Sequence, residues 1–457
     1  MVQPRKKKST NHMATKDWFI TGATRGIASE IAKAALADGN QVVATGSKLE
    51  AMTKALDVTR EDQIKVSALL PIIAVVFIAY LVIGLALPVL PLHVHEGLGF
   101  GTFVVGLVAG SQFAAALISR LFAGHHADSQ GPKRAVITGL LVAAAAGLLY
   151  LLSLNFVHEP GTSVTILLLG RALLGVAESF IITGALSWGL ALMGPQNTGK
   201  VMAWVGTALY AAFAVGAPAG TTLYAGHGFA AIALATTLIP LGTLPLVASF
   251  RPVAPPPHAR AAFTRVVGAV WVPGLGLALS GVGFGAITTF IVLLFAQHGW
   301  GQAWLAFTAL SMAFMAGRLI FGHLPDKIGG ARVALVCVLI EAFGQALIWL
   351  APSSALALVG VTLTGLGYSL VYPGFGVEAL RHAPPQSRGL AMGAYTAFLD
   401  LSLGLASPAL GLVASGADLG AVFLVSTLVV LCAATIAVRL LNAPSLGMAN
   451  RSQDYEQ

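Results

Sequence analysis

Twelve apolar runs, each about 20 residues or longer, follow one another from Val66 almost to the end of the chain. As helices, runs of that length cross a hydrocarbon core of about 30 Å. They fall at about 67–92, 102–123, 135–155, 164–190, 201–223, 229–249, 268–296, 304–322, 333–351, 355–378, 390–414 and 419–440. Composition agrees: 56% of the 457 residues are hydrophobic and 10% charged, with a mean hydropathy of +0.82. So few charges cannot cover the surface of a soluble protein of this size, so lipid is the solvent for most of the chain. The chain is therefore expected to be an all-α membrane protein.

The charges give an orientation. Loops holding Lys133-Arg134, Lys200, Arg251/Arg260/Arg265, Lys327/Arg332 and Arg381/Arg388 alternate with loops that hold neither Lys nor Arg, such as His93-Val94-His95-Glu96. By the positive-inside rule the first set is cytoplasmic, which places both termini inside. This distribution also accounts for the net charge of +8 without a nucleic-acid partner. Cys337 and Cys432 lie within apolar runs and read as small packing residues, not as a disulfide or a metal site. Histidines near the outward loops read as interfacial.

The chain repeats itself. Ser119-Arg120-Leu121-x-x-Gly124-His125-x-x-Asp128-x-x-Gly131 returns as Gly317-Arg318-Leu319-x-x-Gly322-His323-x-x-Asp326-x-x-Gly329, each copy following a long apolar run. A second pair, Pro195-Gln196-Asn197-Thr198-Gly199-x-x-Met202 and Pro385-Gln386-Ser387-Arg388-Gly389-x-x-Met392, is followed by Pro218 and Pro408 at the same spacing. Between the halves lies a loop with Pro252, Pro255, Pro256 and Pro257, which reads as a stiff linker. The expected organisation is a cytoplasmic extension (1–65), a six-helix bundle (66–250), a linker (251–266), a second six-helix bundle (267–440) and a cytoplasmic tail (441–457). Twin bundles around a central path are transporter architecture.

Over residues 66 to 440 this arrangement resembles the major facilitator superfamily. Gly124-x-x-x-Asp128-x-x-Gly131-Pro132-Lys133-Arg134 is similar to the family's loop 2–3 motif, with Gly322, Asp326 and Gly329 as its echo. The resemblance implies a cytoplasmic gate in which glycines turn tightly while Asp128 and basic residues latch the halves. Ser129 and Pro132 stand where basic residues are usual, so Lys133 and Arg134 are expected to supply the charge. Pro88-Val-Leu-Pro91 and Gly216-Ala217-Pro218 resemble a bacterial, YhhS/YfcJ-like efflux-type branch. That implies a monomer in the bacterial inner membrane, handling protons and a small molecule and holding no cofactor or metal.

Ionisable groups inside apolar runs mark the candidate site, because a charge facing lipid costs several kcal/mol. Arg171-x-x-x-Gly175-x-x-Glu178 is similar to the family's span-four motif, in which a membrane Arg is associated with proton coupling. Arg171 and Glu178 share one helix face about 10 Å apart along the axis. A carboxylate pulled one way by burial and the other by a nearby cation can bind or release a proton as its exposure changes. A structural ion pair is the alternative. Asp400, near mid-depth in span eleven, reads as an unpaired proton or cation site, or else as a hydrogen-bonded packing residue. Glu341 reads as structural, and Glu378 with Arg381 as an interfacial pair. Gly216, Pro218 and Gly220 resemble the family's antiporter motif loosely; close helix packing explains them equally well. Spans one, four, seven and ten line the cavity in this family, which nominates Tyr80, Thr183, Thr288, Thr289, Tyr368 and Tyr372, flanked by Gln112 and Tyr210.

At the N-terminus, Trp18-Phe-Ile-Thr21-Gly22-Ala-Thr-Arg25-Gly26-Ile-Ala28 resembles the cofactor loop of short-chain dehydrogenases, with Gln41-Val-Val-Ala as a second strand and Asp57-Val58 as an acidic turn. The apolar runs begin before the remaining strands or a Tyr-x-x-x-Lys pair could fit, so the piece reads as a truncated, non-catalytic fragment fused ahead of the apolar runs, or as a gene-model fusion. There is no Walker-type phosphate loop. The expected function is proton-coupled export of a small organic molecule. Proton-coupled sugar or metabolite uptake is the alternative, and a membrane-anchored dehydrogenase the alternative from another class.

Overall fold

A computed structural model describes residues 4–5, 17–21, 41–45, 69–194, 198–250, 252–253, 263–382 and 388–442. The chain divides into two compact units, Met1–Pro71 and Ile72–Gln457. In the first, strands β1 (Pro4–Arg5), β2 (Asp17–Thr21) and β3 (Gln41–Thr45) form a sheet in that order. β2 and β3 are parallel, with Asp17 opposite Gln41 and Thr21 opposite Thr45, while β1 is antiparallel to β2. A parallel pair requires a crossover connection. That connection, with Gly22 to Ala28, lies outside the described residues, as does Asp57-Val58.

The second unit is helical, its first helix beginning at Leu69, just before the division. Its elements are α1 (Leu69–Gly97), α2 (Thr102–Gln130), α3 (Pro132–Leu154), α4 (Pro160–Met193), the run Thr198–Ser249, α7 (Phe263–Gln297), α8 (Trp304–Phe321), α9 (Gly330–Trp349), α10 (Ser354–His382), α11 (Arg388–Gly416) and α12 (Leu419–Asn442). Eleven of these helices are long and apolar enough to cross a membrane. The 52-residue run is too long for one crossing, since a continuous helix of that length would extend about 78 Å. Gly228, at φ 67° and ψ −167°, breaks it into α5 (198–227) and α6 (229–249), a conformation open to glycine and costly for other residues. Twelve crossings result. In α1 the helix is interrupted at 87–89, beside Pro88, and ends in a π-helical turn at His93–Gly97.

The sequence repeat is a structural repeat. Gly131 and Gly329 end the duplicated loops at φ 96° and 97°, so each copy needs a glycine for the same turn. A Cβ at Gly175 of α4 would collide with the Gln112 carbonyl of α2; its counterpart Gly365 of α10 is pressed equally against the Leu310 carbonyl of α8. The halves meet along α2 with α11 and along α5 with α8. At the first contact Gly106 and Gly110 fit against Ser407, Pro408 and Gly404. At the second, Thr308 donates to the Ala214 carbonyl at 3.0 Å. Gly216 and Gly220 of α5 lie against Gly84 and Leu85 of α1, where any side chain would strike backbone. Pro218 sits between them inside the helix.

The loop motif does more local work than expected of it. Lys133 donates to the Ala248 and Phe250 carbonyls, at 2.7 and 2.5 Å, and so closes the C-terminal end of α6 within its own half. Lys133, expected in a latch between halves, lies in the first turn of α3, beside the end of α6. Arg134, Asp128 and Asp326 are exposed, and Gly124 and Gly322 lie where α2 and α8 approach their ends. Pro195–Asn197 and Pro385–Ser387 of the second repeated motif lie outside the described residues, as do most of the proline-rich linker and the tail beyond 442.

Candidate functional site

Between the two halves lies a cavity of about 120 Å³. Its polar lining comes from Tyr80 (α1), Gln112 (α2), Arg171 and Glu178 (α4), Tyr210 (α5), Thr288 and Thr289 (α7), Tyr368 (α10) and Asp400 (α11). The apolar lining includes Phe113, Phe213, Phe284 and Leu403. Of the sequence candidates, Thr183 and Tyr372 are absent from this wall. Thr183 is five residues past Glu178, which turns it about 140° away around α4. Tyr372 points instead toward α11: its hydroxyl shares a 2.7 Å hydrogen bond with Thr396, and its carbonyl accepts from Tyr395 at 2.8 Å.

Glu178 is held on both oxygens. Tyr80 donates to Oε1 at 3.1 Å and Gln112 donates to Oε2 at 2.6 Å. Among the described residues no ion pair joins Glu178 to Arg171, although both face the cavity as their spacing requires. Arg171 is 3% exposed, and its Nε and Nη1 donors have no protein acceptor among the described residues. A buried guanidinium with unused donors is costly, and this one borders a cavity able to receive water or a ligand.

Asp400 is not unpaired. Arg120 of α2 donates to Oδ2 through Nε at 2.8 Å and again through Nη2. The pair crosses from one half to the other and is largely buried, with side-chain exposures of 22% and 9%. Sequence reasoning grouped Arg120 with a loop motif, yet α2 carries it well inside the helix, facing Asp400. An arginine placed in the duplicated segment was the available signal.

Counting at the spacing that matches Pro218 with Pro408, Asp400 falls opposite Tyr210, and Glu178 opposite Tyr368. Each acid is thus matched by a phenol at the equivalent position. Arg318 rests over the Phe314 ring at 5.6 Å, and Tyr210 stacks on Phe314 with centroids 3.6 Å apart. Tyr368 stacks in turn on Phe284 at 5.3 Å. One interface is closed by charge and the other by aromatic faces.

The family model described as Major Facilitator Superfamily matches residues 72–329 and, overlapping, 274–453. The chain belongs to the major facilitator superfamily. An uncharacterised MFS-type transporter of Salmonella typhimurium is 42% identical over 80% of this chain and 95% of its own length. The corresponding uncharacterised transporter YhhS of Escherichia coli is 40% identical over 80% of this chain and 91% of its own length. Among solved structures, a bacterial homologue of the human lysosomal transporter Spinster, inward-facing and unoccupied, shares the fold at a TM-score of 0.65 and 12% identity, over 82% of this chain and 96% of that one. The human organic anion transporter MFSD10 does so at 0.61 and 15%, over 82% and 99%. This chain is therefore a multi-pass membrane transporter with the superfamily's fold, and not an enzyme.

Proposed function

We propose that this transporter exports a small organic molecule in exchange for protons, by rocking its two six-helix bundles around the cavity. The observation that carries this reading is the state of the two cavity carboxylates. Each is already occupied by protein donors, Glu178 by Tyr80 and Gln112, and Asp400 by Arg120. An incoming proton or a hydrogen-bond donor on a substrate has to displace those partners. Protons and substrate then compete for the same oxygens, and loading one unloads the other. That competition is antiport. Because Asp400 and Arg120 sit on opposite halves, neutralising Asp400 also loosens an interface that must open during the cycle.

The aromatic walls formed by Phe113, Phe213 and Phe284 favour a cargo with an apolar body, and the carboxylates favour one with a donor or cationic end. Arg171, with donors to spare, is placed to repel a second cation and to hold water while Glu178 changes partner. The loop charges support cytoplasmic termini in an inner membrane, and the one-chain cavity supports a monomer as the working unit.

Everted membrane vesicles acidified inside by respiration test the reading, with candidate amines and aromatic compounds added outside and lumenal pH followed by a dye. Export by antiport raises lumenal pH in the wild type and not in Asp400→Asn. Lumenal acidification on addition would indicate proton-coupled movement in the same direction and would overturn antiport.

A further inference from the structure

Behind the cavity wall, inside the second bundle, lies an acid that the transport site does not use. Glu341 of α9 is fully buried, at 0% exposure. Ser280 of α7 donates to its Oε2, while Oε1 has no partner among the described residues. The space around Oε1 is fixed, since a Cβ on Gly283 would lie 2.7 Å from it. One helical turn along α9, Gln345 is also fully buried; its Nε2 donates to the Gly283 carbonyl at 3.1 Å and to Thr364 at 3.3 Å, leaving Oε1 without a donor. Val430 of α12 closes the pocket against Gly283. The titratable groups that feel Glu341 are Cys337 one turn earlier, Tyr210 of α5 and Tyr368 of α10, and no cationic side chain is paired with it among the described residues.

A carboxylate in such a place would face two difficulties: no countercharge, and a neighbouring amide oxygen that also lacks a donor. One proton on Oε1 resolves both. It removes the charge and turns an acceptor into a donor, on the helix face that Glu341 shares with Gln345 four residues on. The pocket also abuts the cavity. Ser280 stands one turn before Phe284 on α7, and Thr364 one turn before Tyr368 on α10. Phe284 and Tyr368, stacked at 5.3 Å and 14°, are the cavity wall itself.

We propose that Glu341 is a second proton-binding site, holding a proton in this conformation behind a plug made by the stacked Phe284–Tyr368 pair, through which it exchanges with the cavity. The site is independent of the direction of transport and of the roles given to Glu178 and Asp400.

Infrared spectroscopy of the full-length protein in lipid nanodiscs tests this in H₂O and D₂O at pH 6, 7 and 8. The wild type should show a buried protonated-carboxyl C=O band at all three values, absent from Glu341→Gln, a neutral near-isostere. Ser280→Ala should fold normally and shift the same band, which keeps the assignment testable if Glu341→Gln misfolds. Phe284→Ala should speed deuterium exchange of that band at least about tenfold, because opening of the plug then limits nothing. The proposal is overturned if no wild-type band answers to Glu341 or Ser280 substitution. It is equally overturned if sodium abolishes the band, since the resident cation would then be a metal, or if Phe284→Ala leaves exchange unchanged.

Discussion

The two contacts between the halves occupy equivalent places and are built from different chemistry. Along α2 and α11, glycines bring the backbones together and the ion pair Arg120–Asp400 spans the join. Along α5 and α8, Thr308 bonds the Ala214 carbonyl and Tyr210 stacks on Phe314, with Arg318 over the far ring. A carboxylate in the first stands where a phenol stands in the second. A carboxylate carries a charge that a proton removes, whereas a phenol, with an ordinary pKa near 10, is already neutral at physiological pH. The duplicated fold thus carries one charged seam and one neutral seam, an asymmetry that suits the proton-driven rocking proposed above.

The asymmetry can be broken at its strongest point first. Asp400→Asn leaves Arg120 buried beside a neutral group, which should cost about 3–5 kcal/mol by the usual penalty for breaking a buried pair. Thermal unfolding in detergent should reveal it as a large fall in melting temperature, and proton-driven transport should be lost. The double variant Arg120→Leu with Asp400→Leu should recover most of the stability without recovering transport; a double variant as unstable as the single one would deny that the pair is the cause. Arg171→Ala comes next: the protein should insert and fold, yet coupled transport should vanish, and full transport by this variant would remove Arg171 from the mechanism.

Smaller effects sharpen the comparison. Gly175→Val and Gly365→Val insert bulk at equivalent helix crossings and should each destabilise by about 1–3 kcal/mol. Only Gly175→Val, which displaces the helix carrying Gln112, should also lower transport beyond what its stability loss explains. Tyr210→Phe removes a neutral hydroxyl and should cost no more than about 1.5 kcal/mol, with pH dependence of transport unchanged. A shifted pH profile would show the aromatic seam titrating after all. Deleting residues 1–60 should have the least effect on vesicle transport, and lost activity with normal insertion would give that extension a role.

Much of this was legible before any coordinates. Apolar length alone marks the crossings, and even the break at Gly228 falls between the runs at 201–223 and 229–249. Gly131 and Gly329 announced their turns by repetition. Ionisable residues in apolar surroundings are conspicuous, so Arg171, Glu178 and Asp400 were found, and the cavity includes all three. What stayed hidden depends on helix phase and on which helices touch. Thr183 and Tyr372 have suitable side chains on suitable helices but lie on the wrong face. Arg120 lies inside the apolar run at 102–123, but it was read as part of the repeated loop motif that begins at Ser119. Its pairing with Asp400 joins residues far apart in sequence, and no local pattern encodes a crossing of α2 with α11. Lys133 is a further case: its bonds to the end of α6 join residues far apart in sequence, which the motif alone does not name.

The central claim is that neutralising Asp400 releases one seam between the halves. Spin labels at His158 and Ser353, exposed positions in the matching α3–α4 and α9–α10 loops, report the separation of the halves once Cys432 is replaced by Ser. Pulsed electron paramagnetic resonance in nanodiscs should give distance distributions that shift between pH 8 and pH 5 in the wild type. In Asp400→Asn the low-pH distribution should be present at both values. Distributions insensitive to pH, or an Asp400→Asn variant that still shifts like the wild type, would contradict the account.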